Sequence, residues 1–314
     1  MPNHIYHHIV INDRSANQRL DQALAQIFTQ YSRGQITKWI KAGFITVNQL
    51  SAKPKDKVKL NDSILINAPA IIHHDDWQAE AIPLDLVYED ETIIIVNKSA
   101  GMVVHPAAGN YQGTLVNALL HHCPQLKAIP RAGIVHRIDK DTTGLLVIAK
   151  TLTAHHSLIS QLQSRTVKRR YHAIVLGKMT AGGTIDQPVG RHPIDRKKMA
   201  IINGGKKAIT HYRVQQRFPK HTHITCQLET GRTHQIRVHM ASIFHPLLGD
   251  PTYGKPSHHK GYAASLQAVL SQFKRQALHA ATLGFQHPDT NKEMIWHCDL
   301  PADMTDILTQ LNHH

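Results

Sequence analysis

Groups able to do chemistry are concentrated in two stretches of this 314-residue chain. The first, His136-Arg137-Ile138-Asp139-Lys140-Asp141-Thr142-Thr143, runs into Leu145-Leu146-Val147-Ile148, an apolar segment too short for a typical helix that reads as a buried strand entered from a polar loop. A carboxylate is thereby fixed at the edge of a core. The second stretch, Glu229-Thr230-Gly231-Arg232-Thr233-His234-Gln235-Ile236-Arg237, turns at its glycine and offers cations to pair with that carboxylate. Asp139 and Asp141 stand two apart. On an extended segment they would face the same way at about 6.5–7 Å, near the separation of an inverting glycosidase pair.

Other chemistries lack their residues. The chain has no G-x-G-x-x-G, no Walker loop and no G-x-S-x-G, which argues against dinucleotide binding, P-loop hydrolysis and serine acyl transfer. Cys123, Cys226 and Cys298 lie far apart and form no C-x-x-C, so neither a disulfide framework nor a zinc site is expected. The 26 His residues include several doublets but no H-E-x-x-H frame, and they read as surface polarity or polyanion contacts. No metal is expected. Lys and Arg number 36 against 22 Asp and Glu, a formal charge of +14, which favours nucleic acid as partner and for which a neutral sugar substrate would give no reason. No apolar run is long enough to span a membrane, and the first residues lack a signal-peptide pattern, so a cytoplasmic protein is expected.

The elements that position these groups follow from periodicity. Leu20, Ala23, Leu24, Ile27 and Phe28 keep helical spacing from Asn17 on, and Ser32 with Gln35 signs the start of a second helix through Ile36, Trp39 and Ile40. A strand is predicted around Ile45-Thr46-Val47. After it Lys53, Lys55, Lys57 and Lys59 alternate toward a strand at Ser63–Ile66, which would set the lysines on one strand face. Residues 69–81 are aperiodic and read as a linker, leaving a small domain at 17–68 and a large one at 82–314. In the large domain strands are predicted at 92–98, 143–150, 171–177, 210–215 and 223–228. Helices are predicted at 114–122, 152–162 and 266–278, with an amphipathic one at the end. Strands outnumber helices and adjoin through turns, so the fold class is α+β, a mostly antiparallel mixed sheet with peripheral helices.

The small unit, with Arg19-Leu20-Asp21 opening its first helix and Gly43-Phe44-Ile45-Thr46-Val47-Asn48 after the second, resembles the S4 RNA-binding domain. In the large domain, His136-Arg137-Ile138-Asp139 followed by Thr142-Thr143-Gly144 resembles the signature of the pseudouridine synthases of the ribosomal large subunit type. Asn97-Lys98, Val104-His105-Pro106, Tyr171-His172-Ala173, Gly231 to Arg237, and Gly249-Asp250-Pro251 with Tyr253-Gly254 stand in the same order as in that family. Ile138 stands where the family usually has Leu, a conservative difference.

The resemblance implies an isomerase that turns uridines of large-subunit ribosomal RNA, free or in a pre-ribosomal particle, into pseudouridine, working as a monomer without cofactor. It makes Asp139 the catalytic carboxylate, Arg237 its guanidinium partner and Tyr171 a ring that stacks on the base. Arg137 would fill the gap left by a flipped-out uridine, and His136, Lys38, Lys53, Lys57, Arg169 and Arg232 would contact RNA. Two other readings stay open at this stage. One is a glycosidase or nucleoside hydrolase using Asp139 and Asp141; the other is an S4-bearing RNA-binding factor without activity.

Overall fold

The computed structural model of the chain describes residues 4–28, 31, 33–69, 77–106, 110–254 and 262–313. Two compact units divide it, Met1–Asp76 and Trp77–His314.

In the first unit, helices α1 (Leu20–Ile27) and α2 (Arg33–Lys41) bury Leu20, Ala23, Leu24, Ile36, Trp39 and Ile40 in one core. Ser32, read as the cap of the second helix, lies outside the described residues. Asp21 is buried between the two helices and accepts hydrogen bonds from Arg19 Nε at 3.0 Å and Arg33 Nη2 at 2.8 Å, so it is a fully engaged ion pair rather than an orphan charge. The helices pack with an antiparallel sheet of β1 (His4–Val10), β2 (Ile45–Val47), β3 (Leu50–Ser51) and β4 (Ser63–Pro69), ordered β1-β4-β2-β3. Thus His4–Val10 supply an edge strand of this sheet. The lysine-bearing strand is absent. Asp56 accepts from the Lys53 backbone N–H and Asp62 from that of Lys59, so this segment closes into two side-chain-capped turns that compete with an extended ladder. Lys53, Lys55, Lys57 and Lys59 are nonetheless all exposed, as is Lys38 on α2.

The second unit is built on a nine-stranded sheet. Its strands are β5 (Leu86–Glu89), β6 (Ile93–Lys98), β7 (Thr143–Ala149), β8 (Lys168–Leu176), β9 (Gly183–Asp186), β12 (Ile209–Arg217), β13 (His221–Leu228), β14 (Leu278–Gln286) and β15 (Glu293–His297). The order is β5-β6-β7-β14-β8-β13-β12-β9, with β15 on β14; β10 (Val189–Arg191) and β11 (Met199–Ile201) form a separate hairpin. All pairings are antiparallel except β7 with β14. The helix read over 266–278 stops early: α6 is Ala264–Gln272, and Leu278 already opens β14.

Strands β6 and β7 are buried on both faces, which accounts for their continuous apolar runs. Ile94, Val96, Leu146 and Ile148 enter a core shared with α3 (Leu115–His122), while Ile93, Ile95, Leu145 and Val147 enter another with Ala154 and Leu158 of α4 (Leu152–Gln163). A third cluster joins Ile174 and Leu176 of β8 to α6 and α7 (Ala302–Asn312). The remaining helix, α5 (Gln235–Ser242), sends Ile236 and Met240 into the first core.

Gly144 sits where β7 meets β14. Its φ is +112°, and a Cβ there would lie 2.3 Å from the carbonyl oxygen of Ala280 and 2.6 Å from its nitrogen. Both obstacles are backbone, so Gly144→Ala must part the two strands or distort both. Such strain and overpacking typically costs about 2–4 kcal/mol, and chemical denaturation should show that loss with the transition slope unchanged.

Candidate active site

The loop carrying Asp139 is pinned along its length. Ile134 and Ile138 are sunk in the first core, Ile134 bridges to Ile148, and between them His136 Nε2 accepts the backbone N–H of Val147 at 3.1 Å. Burial lowers the His136 pKa to about 3, so this imidazole is neutral and tied to β7. The alternation leaves Arg137 exposed and sets Asp139 before a turn closed by the Thr142 N–H on the Asp139 carbonyl. Three anchors follow: Lys98 Nζ on the Lys140 carbonyl at 2.8 Å, Arg275 Nη1 on the Asp141 carbonyl at 3.3 Å, and Gln276 Nε2 on Thr142 Oγ1 at 3.0 Å. Because residues 139–142 turn rather than extend, Asp141 leaves the cavity that Asp139 lines and joins a shallow pocket with Arg275 and Asp303. The facing carboxylate pair of a glycosidase is therefore not formed.

The partner comes from α5. Gln235, at its start, accepts from the Arg232 N–H and Thr230 Oγ1 and donates to the Ile209 carbonyl and Thr210 Oγ1, which fixes the preceding loop to β12. Two residues on, Arg237 Nη1 donates to Asp139 Oδ2 at 3.0 Å. The rest of the guanidinium is held from behind: Nε donates to Asp250 Oδ2 at 2.7 Å, and Nη2 to Asp250 Oδ1 at 2.9 Å and Thr252 Oγ1 at 3.0 Å. Burial opposes the Arg237 charge, but Asp250, joined by Asp139, outweighs it and raises the pKa above the ordinary arginine value. Asp250 also accepts the N–H groups of Thr252 and Tyr253, which closes a turn. Its ion pair with Arg237 has no counterpart in the sequence reading. His234 brings Nε2 to 3.9 Å from Asp139 Oδ1 and is oriented through Nδ1 by the Tyr253 hydroxyl at 2.9 Å. That hydroxyl also accepts from the Met199 N–H.

Asp139, Tyr171, Arg237, Arg137, His136, Arg169 and Arg232 all line one cavity of about 850 Å³, within the range of small-molecule sites. Alternation along β8 puts Arg169 and Tyr171 on the same face. Burial raises the Tyr171 pKa, so the phenol keeps its proton, and its hydroxyl has no hydrogen-bond partner among the described residues. Six arginines line the cavity against two carboxylates, Asp139 and Glu229. Both carboxylates are already paired, Glu229 with Arg165 and His211. Such a cavity attracts a polyanion and accepts a flat ring. Among the described residues no three His, Cys, Asp or Glu side chains are grouped to hold a metal ion, and no helix is long and apolar enough to cross a membrane. Among the histidines, His239 is fully buried, with its ring nitrogens within hydrogen-bond reach of Thr210 Oγ1 and the Gln187 carbonyl.

Lys98 is the largest fully buried charged side chain, donating to the carbonyls of Ser99, Met102 and Lys140. Burial lowers its pKa from 10.5 to about 7, against the pull of Asp141 and Asp139. Between those values the unfolded chain holds a proton that the folded one has released, so unfolding takes up a proton and stability rises with pH across this window. Lys98→Met should flatten that slope by about one proton, or roughly 1.4 kcal/mol per pH unit. Unfolding curves of both proteins at several pH values above 7 measure the difference.

The chain belongs to the RNA pseudouridylate synthase family. The family description RNA pseudouridylate synthase matches residues 92–242, and that of the S4 domain matches residues 18–64. Among curated relatives, ribosomal large subunit pseudouridine synthase D of Escherichia coli K12 is 50% identical over 300 residues, covering 95% of this chain and 92% of that protein. The protein of the same name from Pseudomonas aeruginosa is 51% identical over 295 residues, covering 94% and 92%. Of solved structures, human RNA pseudouridylate synthase domain containing 4 superposes with a TM-score of 0.57 at 24% identity, covering 72% of this chain and 92% of that one, a likeness of fold.

Proposed function

We propose that the protein converts specific uridines of large-subunit ribosomal RNA, free or in a pre-ribosomal particle, into pseudouridine, with Asp139 as the essential carboxylate. The observation that carries this reading is the 3.0 Å contact of Arg237 with Asp139 in an arginine-lined cavity that also holds Tyr171. The RNA substrate is taken from the relatives named for the ribosomal large subunit.

Isomerisation must break the bond from ribose C1′ to uracil N1, turn the ring, and join C5 to the same carbon. Atoms and redox state are unchanged, so the chain has only to present a carboxylate at the sugar and a surface that holds the base. Arg237 holds one oxygen of Asp139 in place, while Asp250 and Thr252 prevent the guanidinium from turning away. Tyr171 stacks on the everted base. Arg137, exposed beside the catalytic loop, takes the place of the base in the RNA helix, offsetting unstacking of a few kcal/mol.

The S4-like domain, taken as residues 17–68 and joined through 69–81 to a catalytic domain over 82–314, adds affinity through exposed lysines. A monomer and a cytoplasmic setting belong to the same reading. Lys53→Ala or Lys57→Ala should weaken RNA binding and lower the salt slope by about one, leaving turnover at saturating RNA intact. Titration at several salt concentrations checks this, and lost turnover at saturation would contradict it. The function itself is tested with ribosomal RNA tritiated at uridine C5: the protein should release tritium to water as C5 bonds to carbon. Free uracil, or tight binding without release, would count against it.

A further inference from the structure

Arg169 is a buried cation without a counter-ion. It is 7% exposed, its Nε has no hydrogen-bond partner, and its one contact is a long 3.4 Å bond from Nη2 to the Glu229 carbonyl. No carboxylate pairs with it among the described residues, and its charged neighbour Arg232 is of like sign. Burying a charge in this way is costly unless something supplies the opposite sign. The chain makes room for it: a Cβ on Gly231 would fall 2.7 Å from Arg169 Nη1. Burial lowers the Arg169 pKa and the adjacent His136 is neutral, so no neighbouring group replaces the missing anion.

We propose that Arg169 is a further catalytic residue, whose guanidinium holds the negative charge that the uracil ring carries once it has parted from the ribose. The proposal rests on the uridine-isomerase reading above. When the C1′–N1 bond breaks, its electron pair stays with the base as a monoanion spread over the ring nitrogens, O2 and O4, and C1′ is left electrophilic beside Asp139. The ring turns, C5 supplies the pair that forms the C1′–C5 bond, C5 loses its proton to water, and the former N1 gains one. Nothing is oxidised or reduced. A donor aimed at charge that exists only during the reaction is unpaired before it.

Depth favours the base over a phosphate. Arg137 is exposed and Arg232 partly so, and these can meet a solvated backbone. Arg169 lies on the same face of β8 as Tyr171, two residues away and so about 6.5–7 Å along the strand, roughly the width of a pyrimidine. A base stacked on Tyr171 reaches it without stripping water from a phosphodiester.

The test compares transcripts of large-subunit RNA containing uridine or 5-fluorouridine under single-turnover conditions, following disappearance of the starting nucleoside after nuclease digestion, because C5 of 5-fluorouridine has no proton to lose and its reaction stops once the C1′–C5 bond has formed. Fluorine withdraws charge and stabilises the base anion by itself, so the need for Arg169 falls. Arg169→Met should slow uridine conversion by about 10²–10³-fold, with RNA affinity changed by less than about threefold and a defect on the fluorinated RNA at least about tenfold smaller. Arg169→Lys, which keeps the charge, should recover part of the rate. Gly231→Ala displaces only the end of the Arg169 side chain and should give a milder loss with the same relief by fluorine. It keeps the test valid if Arg169→Met folds poorly. Equal losses on both RNAs, or a loss confined to affinity with the salt slope lowered by about one, as for a phosphate contact, would overturn the proposal. A wild-type protein that converts neither RNA would instead overturn the isomerase reading on which it rests.

Discussion

Asp250→Ala should destabilise the protein by about 3–5 kcal/mol, the usual cost of leaving one member of a buried ion pair alone, and should also disable Asp139. The Asp250 side chain is fully buried and accepts two bonds from Arg237 and two from the backbone of the turn it closes. Without it the guanidinium keeps its charge in a site 6% exposed, with only Thr252 and Asp139 to satisfy it. Arg237 then turns toward Asp139 as its sole counter-ion, which quenches the carboxylate rather than presenting it. Asp250→Asn retains the shape and part of the hydrogen bonding, so it should lose less stability than Ala. Denaturant unfolding of the two variants, with tritium release measured well below their midpoints, separates the fold from the chemistry.

Asp139→Asn should have the opposite profile. The side chain is isosteric and partly exposed, and Arg237 remains paired with Asp250. Stability should therefore change by no more than about 1–2 kcal/mol. The amide is neither a base nor a nucleophile, so tritium release should fall by at least about 10⁴-fold, the scale seen when an essential catalytic group is removed. RNA affinity should stay within a few-fold of wild type or rise, since a negative charge has been taken from a cavity that receives phosphates. One residue thus carries rate without stability, while Asp250 carries both.

The site was legible in sequence where local chemistry and order along the chain were enough. A polar loop entering an apolar strand located Asp139, and the ordered motifs implied Arg237, which lies 98 residues away in the chain yet 3.0 Å away in space. Asp250 entered the sequence reading only within the Gly249-Asp250-Pro251 motif, because its bonds to the turn it closes and to Arg237 are visible only in the packed structure. Asp139 and Asp141 were given an extended spacing that the turn ending in Thr142 removes. Strand β14 was missed altogether. Leu278-His279-Ala280-Ala281-Thr282-Leu283-Gly284 has little β propensity, and its stability comes from lying between β7 and β8, a tertiary effect that overrides local preference. His279 illustrates why: its Nδ1 lies 2.8 Å from Thr143 Oγ1, so a polar residue sits in the sheet interior fully buried. The lysine segment failed in reverse. Its alternation was real, but Asp56 and Asp62 cap turns there.

The most direct test is made in cells: pseudouridines are mapped across large-subunit ribosomal RNA from a strain lacking this protein, complemented with wild type or with Asp139→Asn. Particular uridines should stay unmodified in the deletion strain, be converted when wild type returns, and remain unmodified with Asp139→Asn present at the same level. Conversion restored by Asp139→Asn, or a deletion strain with every pseudouridine in place, would contradict the account.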